Sequence, residues 1–152
     1  GLLTGLSAAE VNWKPAPDKW SILEVTGHLA DEEVLDFRTR VDYTLHRPAE
    51  AWPPIDPAGW VTEKNYAGLD FEATLRRFLD EREKSLAWLA TLQNPDWERA
   101  FHHPKVGPIR AGDVALSWAA HDLLHIRQIN RLIYQKLEAD GKPYSPEYAG
   151  GW

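Results

Sequence analysis

Trp118-Ala-Ala-His121-Asp-Leu-Leu-His125-Ile-Arg-Gln128-Ile129 is the stretch that decides the fold. Val114, Trp118, His121, His125, Ile129 and Leu132 are spaced by four, three, four, four and three residues. That spacing marks one face of a helix. Both histidines therefore occupy positions where a bundle helix carries its apolar core. Side chains four apart on a helix stack one above the other, so the two imidazoles can reach a single point. A single core histidine usually hydrogen-bonds to a carbonyl or a water; a pair in the middle of an apolar stripe does so less often. Two buried imidazoles left unpaired are costly. A divalent ion would satisfy both, with each ring nitrogen about 2.0–2.1 Å from it. Two ligands do not complete a site, so a third is required.

The 152 residues suffice for one domain with a single sizeable core, and the expected unit is 1–152. A net charge of −6, with basic residues scattered among acidic ones, argues against nucleic acid or an anionic membrane as partner. A small-molecule substrate is expected instead. The absence of cysteine excludes disulfides, thiolate ligation and a cysteine nucleophile, so any thiol chemistry must use a thiol carried by a substrate. No apolar run has transmembrane length and no signal peptide is visible, which points to a cytoplasmic protein. With no methionine in the chain, the natural N-terminus is expected to be removed or to lie outside this sequence.

Working outward from the histidine helix, its pattern runs from about Gly112 to Ala139, and Gly141 and Pro143 end it. Ser7-Ala-Ala-Glu10 and Ser21-Ile-Leu-Glu24 both match the capping box. After the second, Leu23, Gly27, Ala30, Val34, Phe37, Val41 and Leu45 continue at helical spacing, which predicts a helix from Ser21 to His46, stopped by Arg47-Pro48. At 1.5 Å per residue it would be roughly 39 Å long. Asp70 reads as the N-cap of another long helix through Phe71, Leu75, Phe78, Ser85 and Leu89, ending near Asn94-Pro95. Arg82 falls on its apolar line, either anchoring an anionic ligand or snorkelling at the core edge. Residues 47–69, with four prolines and Trp52 and Trp60, predict a long irregular connection. Pro104, Gly107 and Pro108 predict a loop, and the tail from Tyr144 to Trp152 is expected to be extended. No strand-like alternation of useful length appears. The fold class is all-α, an up-and-down four-helix bundle with three long helices and a short or truncated N-terminal one.

Candidates for the third ligand are His28, His46, His102 and His103. His28 lies about 60° beyond the apolar edge of its helix at 100° per residue, which alone suggests a rim position. The neighbouring Gly27 allows another helix to approach closely. A third imidazole on a facing helix would complete a three-histidine site with room for water or substrate. His102 and His103 sit in a loop, where solvated side chains are the rule, and His46 sits where a cation complements a helix C-terminus. The zinc-protease motif H-E-x-x-H does not apply, because Asp122 stands where that motif has glutamate and its side chain is one methylene shorter.

Lys19-Trp20-Ser21-Ile22, Gly27-His28-Leu29-Ala30-Asp31-x-Glu33 and His121-Asp122-Leu-Leu-His125-Ile-Arg-Gln128-Ile129 together resemble the DinB/YfiT-like family from about Pro17 to Tyr134. The resemblance implies a four-helix bundle that binds a divalent metal, usually nickel or zinc, through His28, His121 and His125. The family helix before the Trp-Ser start looks shortened here. Family members include S-transferases that use bacillithiol or mycothiol, a mycothiol-dependent isomerase and proteins described as metal-dependent hydrolases. The expected function is therefore activation of a low-molecular-weight thiol for S-transfer, with activation of water for hydrolysis or a non-catalytic metal or ligand site as alternatives. Around the metal, Glu32 at i+4 from His28 could serve as a base or remain a solvated carboxylate. Gln128, three residues after His125, could orient a ligand, and Trp118 could wall the site or simply pack the core. A bundle of this kind can form a homodimer, and nothing in the sequence decides that.

Overall fold

The computed structural model describes residues 1–151. Its organising element is a nearly continuous helical rod from Ile22 to His46. The rod comprises α2 (Ile22–Glu32), a π-helical segment (Glu33–Arg38) and α3 (Thr39–His46). Before it lies α1 (Ala8–Val11). Both capping boxes form: the Ser7 and Ser21 hydroxyls accept from the Glu10 and Glu24 backbone N–H groups, and each carboxylate accepts from its cap residue's N–H. The long helices α5 (Phe71–Thr91) and α6 (Ala111–Asp140) pack along the rod. Asp70 caps α5, its carboxylate accepting from Ala73 N–H at 2.8 Å.

Every residue of α2 is buried. That removes the distinction between stripe and rim on this helix, and it corrects the expected rim position of His28, which is 5% exposed. A helix covered on all sides must also pair its polar groups internally. Glu24 meets Lys14 at 2.6 Å, and Asp31 accepts from the Tyr66 hydroxyl at 2.5 Å and from Lys64 at 2.9 Å.

The connection 47–69 is more ordered than its prolines suggest. It holds α4 (Pro57–Glu63), started by Pro57 and capped by Asp56, and a short 3-10 turn (Tyr66–Gly68). Gly27 admits this turn rather than another helix. A Cβ there would lie 3.0 Å from the Tyr66 ring, so glycine is what lets the ring cross α2.

Residues 100–110 form a hairpin, β1 (Ala100–His103) with β2 (Gly107–Arg110), where a loop was expected, so the chain is mostly helical rather than all-α. Its three-residue connection, 104–106, leads into Gly107 at φ +83°, a conformation glycine adopts without strain. Trp52 stacks on Phe101 at 4.5 Å and seats the hairpin. Four-residue strands are too short to show a period, and Pro108 reads against a strand. Within the tail, Glu147–Ala149 make a 3-10 turn rather than extended chain, and Trp152 falls outside the described residues.

The core divides into two apolar clusters. One gathers Val11, Ile22, Leu23, Val25, Leu29, Phe71, Ile129 and Leu132; the other Phe37, Val41, Leu45, Ala111, Val114 and Trp118. Leu3, Leu6 and Trp13 pack on the first cluster, so the N-terminal segment covers only one end of the bundle. No helix among the described residues is long and apolar enough to cross a membrane.

Candidate metal centre

Along α6 the residues of the second cluster end at Trp118 and those of the first begin at Ile129. His121 and His125 fall in the gap between them, and His28 reaches the same gap from α2. The three Nε2 atoms converge: His28 to His121 at 3.4 Å and His125 to His121 at 3.0 Å. One ligand atom from each lies within 4.8 Å of the others. Donors held about 2.0–2.1 Å from one ion in a tetrahedral array sit roughly 3.3 Å apart, so the spacing fits a common divalent ion. Without an ion, three lone pairs share one small space, and hydrogen bonds among the rings satisfy them only in part.

Burial keeps the imidazoles neutral, the state that ligates. It pulls His28 down to about 3, helped by the neighbouring His125 and His121 and opposed by Asp31. Burial and His125 likewise pull His121 down to about 4. Burial lowers His125 too, with the Gln128 hydrogen bond opposing. The Nδ1–H of His125 donates to Gln128 Oε1 at 2.7 Å, which fixes the tautomer and leaves the Nε2 lone pair facing its partners. Trp20 lies against the His28 ring at 5.0 Å, and Phe37 against His121 at 4.9 Å. His121, His125 and Gln128 line an open cavity of about 650 Å³, so the convergence point faces solvent on one side.

The other residues singled out from the sequence take different places. Trp118 is core: it stacks on Phe37 at 5.9 Å and its indole N–H donates to Glu33 at 2.8 Å. Arg82 is committed within the protein. It makes a two-pronged contact with Glu33 at 2.9 and 2.8 Å, and another with Asp122 at 2.6 and 2.9 Å. This pairing turns the Asp122 carboxylate toward α5, in keeping with the rejection of a protease-type motif. Glu32 is buried at 4% exposure rather than solvated, and its Oε1 has no hydrogen-bond partner. Desolvation and then the Asp36 carboxylate push it well above the usual carboxylate range. His46 ends α3, 3.9 Å from Asp42. His102 and His103 lie in β1, where His103 Nδ1 accepts from Lys105 N–H at 3.2 Å.

Sequence reasoning missed Glu33 as the residue that joins Arg82 and Trp118 beneath the histidines. It also missed the π-helical segment that starts at Glu33. Phe37, four residues after Glu33, faces α6 as well, where it stacks on Trp118. The Thr39 hydroxyl donates to Val34 O at 2.7 Å, five residues back, and satisfies a carbonyl within the segment.

The YfiT protein of Bacillus subtilis (strain 168), described as a probable metal-dependent hydrolase, is 27% identical over 116 residues. That match takes in 74% of this chain and spans 65% of YfiT's length. OB0782 of Oceanobacillus iheyensis, named in similar terms, is 28% identical over 118 residues, 77% of this chain and 67% of its own length. YuaE of Bacillus subtilis, which is uncharacterized, is 26% identical over 147 residues and 90% of each chain. The solved YfiT structure, reported as a four-helix bundle of unusual topology, superposes with a TM-score of 0.68 at 21% identity. The superposition covers 87% of this chain and 77% of YfiT. The sequence model of the DinB superfamily matches residues 1–129, so the chain belongs to the DinB superfamily.

Proposed function

We propose that this chain is a metal-dependent enzyme in which His28, His121 and His125 hold one divalent ion, nickel or zinc, and a low-molecular-weight thiol such as bacillithiol or mycothiol is brought to it for transfer to an electrophile. The observation that carries the reading is the convergence of the Nε2 atoms of buried His28 and of His121 and His125, the latter two lining an open cavity. When bound, a divalent ion supplies Lewis acidity and lowers the pKa of a nucleophile beside it. Gln128 keeps the proton on His125 Nδ1 and so presents the Nε2 lone pair. Trp20 and Phe37 wall the histidine rings with apolar surface and exclude bulk water from their flanks. The thiol must come from outside because the chain has no cysteine.

A second reading, hydrolysis with water as nucleophile, draws on the description of YfiT and OB0782 as metal-dependent hydrolases. Glu32 serves neither reading as a solvated base. It is a buried acid on the turn after His28, and if it acts it holds a proton rather than takes one at neutral pH.

Elemental analysis of protein purified without chelator, beside His121→Ala/His125→Ala, tests the ligand set. About one ion per chain, lost in the variant, is the expected result. Conjugation and ester-hydrolysis assays with and without added thiol then separate the readings. Turnover only with thiol supports transfer, turnover without it supports hydrolysis, and none in either overturns both.

A further inference from the structure

The cavity that opens onto His121 and His125 is lined further along α6 by Arg127 and Arg131. At ~100° per residue these two lie about 40° apart on the helix, on the flank beside Gln128. Both are exposed, and among the described residues neither has an ion-pair, hydrogen-bond or ring partner. This is unusual in the chain, where arginines such as Arg38, Arg82 and Arg110 are held by carboxylates at 2.6–3.0 Å. A second cavity, of about 350 Å³, adjoins at Gln128 and Arg131 and is lined also by Trp20 and Lys19. No carboxylate lines either cavity. Asp122, the acidic residue next to His121, is held away by Arg82 at 2.6 Å. A protein of net charge −6 thus presents a solely cationic rim at the face where His121 and His125 meet solvent.

Two guanidiniums with free N–H donors, one helical turn apart, match the geometry of an oxyanion and bind it by charge-assisted hydrogen bonds. We propose that Arg127 and Arg131 are the specificity-determining residues of this site, selecting a small substrate or cosubstrate that carries a carboxylate or a phosphate. The anionic group docks on the α6 flank while the remainder of the molecule extends back along the helix toward His125. Arg131 lies about 9 Å along the axis and about 120° round the helix from His125 at 1.5 Å and 100° per residue, so the anionic group and the reacting atom stand at opposite ends of a molecule roughly 9 Å or more in length. The inference rests on the proposed function for the identity of the site, but not for the anion contact itself.

Isothermal titration of the purified, metal-containing protein with succinate and, separately, inorganic phosphate tests it. The expected result is saturable binding of at least one of them with a Kd below about 10 mM, weakened about tenfold or more in Arg127→Gln/Arg131→Gln. Metal content and circular dichroism should be unchanged in that variant. The control Arg76→Gln/Lys142→Gln, which removes the same charge elsewhere, should bind as wild type. Which anion binds assigns carboxylate or phosphate. Absence of binding, equal loss in the control, or binding that survives in Arg127→Gln/Arg131→Gln but vanishes in His121→Ala/His125→Ala would overturn the proposal. Arginine-dependent binding by protein that holds no metal would leave it standing and remove the metal-enzyme reading instead.

Discussion

At the residue scale, burial keeps the three imidazoles unprotonated, the state a metal ligand requires, and that has a consequence for stability. Burial pulls His28 down to about 3 and His121 down to about 4, against an ordinary value of 6.5. Between those values the unfolded chain binds more protons than the folded one, so stability rises with pH. The histidine contribution is complete above about pH 6.5 and is lost as the pH falls toward about 4. Glu32, raised by burial, acts in the opposite sense: its contribution is present below the ordinary carboxylate pKa and is lost as the pH rises. Asp36, raised likewise, shares that sense, so urea titrations of chelated Glu32→Gln/Asp36→Asn protein at about pH 7.5 and about pH 5 isolate the histidines, and a lower midpoint at the acid end is expected. Equal midpoints would contradict the burial argument. Gln128 acts through His125 rather than on a ligand directly. Its replacement by alanine should weaken metal binding about 10- to 100-fold in a chelator competition, as loss of a ligand-orienting hydrogen bond does.

At the scale of elements, the buried rod dictates what its neighbours look like. Gly27 illustrates the conflict between local preference and packing. Alanine would favour the helix by about 1 kcal/mol. The added methyl would meet the Tyr66 ring at 3.0 Å and disturb the Tyr66–Asp31 hydrogen bond that ties the connection to α2. Gly27→Ala is therefore expected to destabilise the fold by about 1–3 kcal/mol, read as a lowered melting temperature; a raised one would mean that the turn moves freely. The π-helical segment plays a related part. It begins at Glu33, whose carboxylate meets Arg82 and the Trp118 indole, so that the rod, α5 and α6 join in one polar network beside His121.

At the scale of the whole molecule, the histidines come from elements far apart in the chain, so an ion held by all three would join α2 to α6 and stabilise the fold by linkage. At a free metal concentration about a thousandfold above Kd the gain is about 4 kcal/mol, or roughly 10 °C in Tm for a chain of this size. Scanning calorimetry with and without added zinc or nickel checks this. The shift should disappear in His121→Ala/His125→Ala, and its persistence there would place the ion elsewhere. The sequence by itself determined the three long helices, both capping boxes, the Asp70 cap and the adjacency of His121 and His125, because each depends on residues within one or two helical turns. The part played by His28 was legible only through a family resemblance, since wheel arithmetic assigns a rim to a helix that is in fact covered all round. The hairpin, the π-helical register, the burial of Glu32 and the capture of Arg82 by Glu33 and Asp122 depend on which surfaces meet across the bundle. The Arg82 contacts join residues 40 and 49 positions apart, and the hairpin, though local, is seated by Trp52 on Phe101 far along the chain, so tertiary packing decides them.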